Sequence, residues 1–347
     1  MSLYSEILEQ PQRLAKLVSS QRRTVEEIAR AIQSRDIFYV FLAARGTSDN
    51  AGRYANYLLG AVNRLPLALA TPSLFTYYQQ PPNLKGAFVI GISQSGQSPD
   101  IVSVLDEGRR QGCPTLAITN ESNSPLTSNA DFVLNVQAGP ELAVAATKTY
   151  TAELMSIAMI SAALSGEKSK FSWDLLEKVP AWITESLKAD DVIRQAAERY
   201  RYMQQCVVLG RGYNYSTAFE WALKLKELTY IEAEPYSSAD FQHGPIAMVA
   251  QGFPVMAIVS AGKVADSLIS LLEHLNQDLS AELVVISNLE QPLALAKTRI
   301  PVSSQIPESL TPLVNIVPAQ LFSYYLTLVK GFDADKPRTL RKITETR

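Results

Sequence analysis

The chain of 347 residues has only two cysteines, Cys113 and Cys206, and only two histidines. The cysteines lie far apart and lack C-x-x-C spacing, so the sequence offers neither a disulfide framework nor a zinc site, and both are expected in the core. The histidines belong to no recognisable set of metal ligands, and we expect no metal and no cofactor. This cysteine usage fits a reducing compartment and predicts a cytoplasmic protein.

Long apolar runs and blocks of like charge are also missing. Residues 1–14 are polar and charged, unlike a signal peptide, and no apolar run is expected to reach the roughly 20 residues that span a bilayer. The net charge is −2, and acidic and basic residues are spread along the chain without long blocks of like charge. Without a basic patch there is no electrostatic footprint for nucleic acid or an anionic membrane, so neither is expected as a partner.

What is present is enough apolar sequence for two domains: 47% of the residues are hydrophobic and 19% are charged. Residues 4–34 predict two amphipathic helices, the second beginning at Thr24. Continuous apolar runs at 37–44, 87–92 and 115–119 predict strands of a parallel sheet that is buried on both faces. Helical sequence follows the first two strands, which gives a βαβ succession.

Three landmarks of the first half recur in the second half at an offset of 166 or 168 residues: Arg45 matches Arg211, Gly96 matches Gly262, and Asn120 matches Asn288. We therefore predict an internal repeat of two doubly wound α/β domains, residues 1–185 and 186–347, with linker helices at 173–197. Ligands are expected at the carboxyl ends of the strands.

The first copy has hydroxyl side chains at one strand-to-helix turn. Ser93, Ser95 and Ser98 surround a glycine there, with Ser98 as the expected N-cap. Hydroxyls and free backbone N–H groups at a helix N-terminus suit a phosphate monoester, although the same residues could simply form a turn and a cap. The matching loop of the second copy keeps only Ser260, so we expect it to have lost the phosphate role.

The second copy has a charged stripe instead. Helical spacing over residues 218–229 places Glu220, Lys224 and Glu227 on one face of an otherwise apolar helix. A loop is expected next, with His243 inside it. Carboxylates, a lysine and a histidine in a sheltered place suit proton transfer. The competing interpretation is a surface helix with two ordinary ion pairs.

These motifs carry a resemblance over nearly the whole chain. The chain resembles the isomerase half of glucosamine-6-phosphate synthase, also called glutamine–fructose-6-phosphate aminotransferase, which is built from two sugar isomerase (SIS) domains of flavodoxin-like, three-layer α/β/α fold. The blocks that carry the resemblance are Arg45–Ser48, Ile92–Gly96, Ala138–Glu141 with Val144–Lys148, Leu209–Gly212, Glu220–Glu227, His243–Pro245 and Lys336–Arg338.

The resemblance implies a role for each candidate residue. Glu227 corresponds to the base that moves a proton between C1 and C2 of the sugar, with Lys224 and Glu220 as its supporting partners. His243 corresponds to a group that assists ring opening and is contributed by the neighbouring subunit, which implies a homodimer. Lys342 corresponds to a lysine that forms a Schiff base with the open-chain ketose. The residues expected to bind the sugar phosphate are Gly46, Thr47, Ser48, Ser93, Gln94, Ser95 and Ser98.

Two departures from the synthase bear on function. No glutaminase domain is expected, because Met1 leads almost directly into the isomerase half. Arg45 also stands where the synthase typically has a smaller cysteine. The resemblance then implies a deaminase-isomerase that converts glucosamine 6-phosphate to fructose 6-phosphate and ammonia. Alternatives are another ketose/aldose isomerase, a deglycase for fructosamine 6-phosphate, and a non-catalytic sugar-phosphate sensor.

Overall fold

A computed structural model describes residues 2–166, 169–340 and 342. These residues form two compact units that interleave along the sequence. The first unit contains residues 12–141, 148–178 and 342, and the second contains residues 2–11, 142–147 and 179–340. Residues 2–11, 142–147 and 179–185 of the predicted first repeat belong to the second unit. The boundary between repeats at 185/186 stays a prediction.

The chain begins with two helices, α1 (Leu3–Leu8) and α2 (Gln10–Gln33). The predicted break at Thr24 is wrong, since α2 continues through it. Two i,i+4 ion pairs, Arg22–Glu26 and Arg23–Glu27, cross this position and support a continuous helix.

The first unit is built on a five-stranded sheet with all neighbouring strands parallel. Its strands are β1 (Tyr39–Ala43), β2 (Leu67–Leu69), β3 (Ala87–Ile92), β4 (Thr115–Thr119) and β5 (Phe132–Asn135). Its further helices are α3 (Gly46–Asn63), α4 (Ser73–Thr76), α5 (Pro99–Arg110), α6 (Pro125–Ser128), α7 (Lys148–Ser165) and α8 (Trp173–Leu176). The order β2-β1-β3-β4-β5 is that of a flavodoxin-like sheet.

Both faces of this sheet are covered, which is why its central strands are continuously apolar. On one face, α5 packs against β3, and Gly108 lies so close to Val89 that an added Cβ would fall 2.9 Å from that side chain. On the other face, α3 packs against β1, with Gly52 against Leu42. The predicted strands at 87–92 and 115–119 are confirmed, and the first strand is shorter than predicted.

The second unit repeats this architecture with the order β10-β9-β8-β6-β7, all parallel. Its strands are β6 (Gln205–Gly210), β7 (Glu232–Ser237), β8 (Pro254–Val259), β9 (Glu282–Ser287) and β10 (Thr298–Pro301). Its further helices are α9 (Val179–Ser186), α10 (Asp190–Arg199), α11 (Tyr215–Thr229), α12 (Ser238–Phe241), α13 (Ala265–Gln277), α14 (Glu290–Leu295) and α15 (Thr311–Val329). Read from the other edge, the order matches the first sheet strand for strand, so the predicted internal repeat and fold class are confirmed.

The loop expected after α11 contains a strand instead. β7 lies at the edge of the second sheet, and within residues 2–166 and 169–340 its pairing partner is β6 alone. Its sequence is polar and includes Pro235, which is tolerated at an edge where one side of the strand makes no ladder hydrogen bonds. A search for apolar alternation therefore misses it.

Of the helices that the structure describes, one segment, Glu308–Val329, is long and apolar enough to cross a membrane by length and composition. By helix length and composition, the expectation that no apolar run is long enough to span a bilayer is therefore wrong. However, 78% of the segment's most apolar window is buried inside the protein, and α15 packs against α10 and α11 of its own unit. It is thus a core helix of the second unit.

Candidate functional site

Helix α11 holds the three charged residues of the predicted stripe. It is rich in strong helix formers such as Ala222, Leu223 and Leu225, and it ends at Tyr230, whose left-handed backbone (φ 59°) stops the helix. Trp221 and Leu225 are completely buried. The helix therefore packs most of its residues into the core of its unit.

The stripe is a buried ion-pair cluster. Nζ of Lys224 lies 3.4 Å from Oε1 of Glu220 and forms a closer contact with Oε2 of Glu227. The side chains of Lys224 and Glu220 are 1% and 0% exposed, whereas that of Glu227 is 24% exposed. Glu227 is thus the member of the cluster that a ligand can reach.

The cluster fixes the charge of its lysine. Burial disfavours the ammonium, but the carboxylates of Glu227 and Glu220 outweigh that effect and raise the pKa of Lys224 above its ordinary value. Lys224 is therefore a permanent cation at neutral pH. It is suited to stabilise negative charge near Glu227 and unsuited to act as a base.

Glu227 lines a cavity of about 530 Å³, a volume typical of small-molecule sites. One wall comes from the C-terminal segment: the Arg338 backbone N–H donates a hydrogen bond of 2.8 Å to the Tyr230 hydroxyl, and the Arg338 guanidinium stacks 3.9 Å above the Tyr230 ring. The complete lining is Lys226, Glu227, Tyr230, Ile231, Glu232, Glu234, Arg338, Thr339 and Leu340.

His243 is not joined to this cluster. It follows α12, its backbone N–H donates to the carbonyl of Asp240 at 3.0 Å, and the residue is exposed. Among the described residues its ring makes no hydrogen bond or ion pair within the chain. The structure thus brings Glu220, Lys224 and Glu227 together, whereas the His243 ring has no hydrogen-bond or ion-pair partner in the described part of the chain.

In the first unit, the loop between β3 and α5 is preorganised by its own hydroxyls. The Gly96 N–H donates to Ser93 Oγ at 3.2 Å, and the Gln97 N–H donates to Ser95 Oγ at 3.3 Å. Gly96 has φ +62°, and an added Cβ would lie 2.2 Å from Oγ of Ser124, so only glycine fits this turn.

Several backbone donors of this loop have no acceptor among the described residues. Within the part of the protein that the structure describes, the backbone N–H groups of Gln94, Ser95 and Ser98 form no hydrogen bond. Ser98 is the N-cap residue of α5, as predicted, but its hydroxyl does not cap the helix and lies 3.4 Å from Ser93 Oγ. Free N–H groups and hydroxyls at a helix start form a binding place for an anion.

The neighbouring turn at the start of α3 adds charge. Nε of Arg45 donates to Oδ2 of Asp100 at 2.7 Å, and the side chains are 49% and 0% exposed, respectively. Asp100 lies in the first turn of α5, so this pair connects the two turns. Ser48 is buried, and its hydroxyl donates to Oε1 of the buried Glu153 at 2.8 Å. Ser48 therefore helps to build the turn rather than presenting a free hydroxyl.

Lys342 is held by a carboxylate of its own unit. Its Nζ lies 2.7 Å from Oε2 of Glu141, which has a completely buried side chain. The sequence placed Glu141 in a family block without assigning it a role. It gave Asp100 and Arg338 no role either, although Asp100 follows the predicted phosphate loop and Arg338 belongs to the block Lys336–Arg338.

The equivalent loop of the second unit, after β8, is occupied by side chains of the chain itself. The Lys263 N–H donates to Oε2 of Glu308 at 3.1 Å, and the Ala261 N–H donates to Oδ1 of Asn288 at 2.8 Å. These two backbone N–H groups are therefore not available to an anion. The two repeats share a fold, but in the second repeat these two donors bind side chains of the same unit.

Three comparisons agree with this architecture. A family model described as SIS domain matches residues 36–163 and 202–330. The glutamine–fructose-6-phosphate aminotransferase (isomerizing) of Thermococcus kodakarensis is 33% identical over 347 residues, which cover 98% of this chain and 57% of that protein. The chain thus spans little more than half the length of this relative.

Solved structures show the same fold. The C-terminal domain of glucosamine-fructose-6-phosphate aminotransferase from Francisella tularensis superposes with a TM-score of 0.86 at 27% identity, covering 96% of this chain and 98% of that one. Glucosamine-6-phosphate deaminase from Thermotoga maritima gives a TM-score of 0.81 at 22% identity over 100% of both chains. From the family match over both repeats and the 33% identity to the Thermococcus enzyme, we conclude that the chain belongs to the SIS domain family and carries two SIS domains homologous to the isomerase half of glutamine–fructose-6-phosphate aminotransferase.

Proposed function

We propose that the protein is a phosphosugar isomerase and deaminase that converts glucosamine 6-phosphate to fructose 6-phosphate and ammonia. The observation that carries the proposal is the buried cluster of Glu220, Lys224 and Glu227, in which the one reachable carboxylate lines a cavity beside a permanent cation. The Thermotoga deaminase, which matches this chain over its full length, supports the deaminase form of the reaction.

The chemistry assigns a separate task to each group. After ring opening, assisted by His243, Glu227 removes the proton from C2 of the open-chain amino sugar and returns a proton to C1. The enolamine formed on the way carries developing negative charge on O1, which the Lys224 ammonium stabilises. The amine of Lys342 then displaces ammonia from the product imine at C2, and water hydrolyses the resulting Schiff base to free the lysine and the ketone of fructose 6-phosphate. Glu220 holds Lys224 in place through its 3.4 Å contact.

Phosphate binding is assigned to the first repeat. The open N–H groups of Gln94, Ser95 and Ser98, with the hydroxyls of Ser93 and Thr47, are the donors that a phosphate monoester requires. Because phosphate does not react, its binding energy serves to orient the sugar. Lys342 is assigned to the Schiff base with the open-chain ketose.

Arg45 supports a second candidate, another ketose/aldose phosphate isomerase or a fructosamine 6-phosphate deglycase. Its Nε donates a hydrogen bond to Asp100, whereas its two Nη groups form no hydrogen bond within the described chain. A half-exposed guanidinium beside the phosphate loop could select a different sugar. A sugar-phosphate sensor is disfavoured by the buried cluster, since binding alone requires no base. The proposal also includes a homodimer in which His243 serves the partner's site, and a cytoplasmic location.

The test is release of ammonia and fructose 6-phosphate from glucosamine 6-phosphate. Glu227→Gln keeps the shape of the side chain but removes the base, so we expect kcat to fall by about a hundredfold or more. The matched control is Glu27→Gln, which removes the carboxylate of an exposed helical ion pair at 3.0 Å from Arg23 and should leave kcat unchanged. Equal turnover by the wild type and Glu227→Gln would reject the assignment, and turnover of a different sugar phosphate alone would select the second candidate.

A further inference from the structure

The two side chains of the Glu141–Lys342 ion pair differ in burial. The lysine side chain is 23% exposed, whereas the carboxylate that accepts its hydrogen bond is 0% exposed. A surface lysine near a chain end ordinarily adopts many conformations. Here the ammonium is held 2.7 Å from an oxygen that belongs to the interior of the first unit.

Glu141 is itself fixed by secondary structure. Its Oε1 accepts a hydrogen bond of 3.1 Å from the backbone N–H of Thr149, in the first turn of α7. Carboxylates are stabilised at helix N-termini because the free N–H groups carry partial positive charge. One oxygen thus anchors the side chain to α7, and the other accepts the hydrogen bond of Lys342. The fixed carboxylate therefore gives the lysine amine a defined position.

We propose that Glu141 is the positioning residue for Lys342, which holds its amine in place and accepts its proton when the Schiff base forms. This inference rests on the proposed function, because it takes Lys342 to be the lysine that reacts with the ketose. The need for such a residue is chemical: an ammonium ion has no lone pair, and a lysine becomes a nucleophile only after losing a proton.

The step balances without any further reactant. The ammonium of Lys342 transfers one proton to the Glu141 carboxylate, and the neutral amine adds to the C2 carbonyl of the open-chain ketose. A proton moves from nitrogen to oxygen to give the carbinolamine. Glu141 then returns its proton to the hydroxyl, which leaves as water and yields the protonated imine. Glu141 ends as a carboxylate, as it began.

The test traps the imine with borohydride in the presence of fructose 6-phosphate and measures adduct formation by mass spectrometry. The wild type should form an adduct on Lys342, and Lys342→Ala should form none. Glu141→Gln keeps an acceptor for the Thr149 N–H but cannot take a proton, so trapping and kcat should fall by about a hundredfold. KM should change less than about twofold, because substrate binding does not use Glu141. Glu141→Asp should recover part of the trapping rate.

The matched control is Glu6→Gln. Glu6 is a fully buried carboxylate that accepts hydrogen bonds from the N–H groups of Leu142 and Ala143, the two residues after Glu141, at 2.6 and 3.3 Å. It supports the same stretch of chain, whereas the hydrogen bond of Lys342 goes to Glu141, so substitution of Glu6 should leave trapping unchanged.

The outcomes separate this inference from the proposed function. Trapping by Glu141→Gln at the wild-type rate would overturn the inference and leave the proposed function standing. An equal loss in Glu6→Gln would overturn it as well, because the effect would then come from the loop. Wild-type turnover of glucosamine 6-phosphate without any adduct would remove the lysine's role, and with it this inference. Absence of turnover on every sugar phosphate tested would reject the proposed function itself.

Discussion

Lys224 shows how strongly one side chain can depend on its neighbours. A lysine that is 1% exposed would lose much of its charge by desolvation if it stood alone. The carboxylates of Glu220 and Glu227 reverse this effect and raise its pKa. The same lysine therefore neutralises a buried Glu220 and supplies a cation to the reachable Glu227, so stability and the proposed chemistry depend on the same contacts.

We predict that Lys224→Met lowers the free energy of unfolding by about 3 to 5 kcal/mol, because a buried carboxylate loses the cation that pairs with it. Adding Glu220→Gln should restore part of the loss. Urea denaturation followed by circular dichroism measures both effects. The control is Lys226→Met on the exposed side of the same helix, with an expected change below about 1 kcal/mol.

The pH dependence of this stabilisation follows from the sign of the pKa shift. Since the folded pKa of Lys224 is raised, the contribution is complete below the unfolded value of about 10.4 and is lost only as pH rises through the folded value. The difference between wild type and Lys224→Met should therefore be constant from about pH 7 to pH 9. A difference that vanishes within this range would mean that Lys224 is not held as a cation.

At the scale of elements, the two repeats use the same strand-to-helix turn differently. After β3 the backbone donors of Gln94, Ser95 and Ser98 are open, whereas after β8 the Lys263 N–H is taken by Glu308. The Glu308 carboxylate therefore occupies a backbone donor that a phosphate could otherwise use. The second copy gains a stable loop and loses room for a ligand.

We predict that Gly96→Ala raises KM for the sugar phosphate at least tenfold and destabilises the fold by about 1 to 3 kcal/mol. The new Cβ would lie 2.2 Å from Ser124 Oγ at a backbone φ of +62°, so the loop must move. Steady-state kinetics and urea denaturation measure the two effects.

The control is Gly60→Ala within α3, where an added Cβ would meet no atom of the described residues within 4 Å beyond the adjoining backbone of its own helix. Alanine should be neutral or stabilising there by up to about 1 kcal/mol, with KM unchanged. If Gly96→Ala kept the wild-type KM, the loop would not be the phosphate-binding element.

At the scale of the whole molecule, the exposed His243 leads to a prediction about assembly. We expect a homodimer in sedimentation, and we expect His243→Ala and Glu227→Gln each to be nearly inactive alone. After mixing under conditions that allow subunit exchange, about half the dimers should be mixed and contain one intact site, giving about a quarter of wild-type activity. A monomer with full activity, or mixed dimers that stay inactive, would contradict the shared site.

Much of this protein could be predicted from its sequence because the relevant signals are local. Continuous apolar runs identified β3 and β4, and recurring landmarks such as Arg45 and Arg211 predicted two copies of one fold. The spacing of Glu220, Lys224 and Glu227 placed three charges on one helical face. Backbone geometry alone fixes these relationships, since a helix turns about 100° per residue and a parallel sheet buries both faces.

Tertiary structure alone decided which residues are buried and which partners they meet. Spacing could not distinguish a surface ion pair from the buried cluster on α11, since both have the same sequence pattern. Glu141 and Lys342 are 201 residues apart, and Arg45 and Asp100 are 55 apart, so no local pattern connects them. The polar edge strand β7 forms because β6 offers it a neighbour. Burial, charge pairing and strand edges depend on packing between distant segments, and that packing exists only in the folded chain.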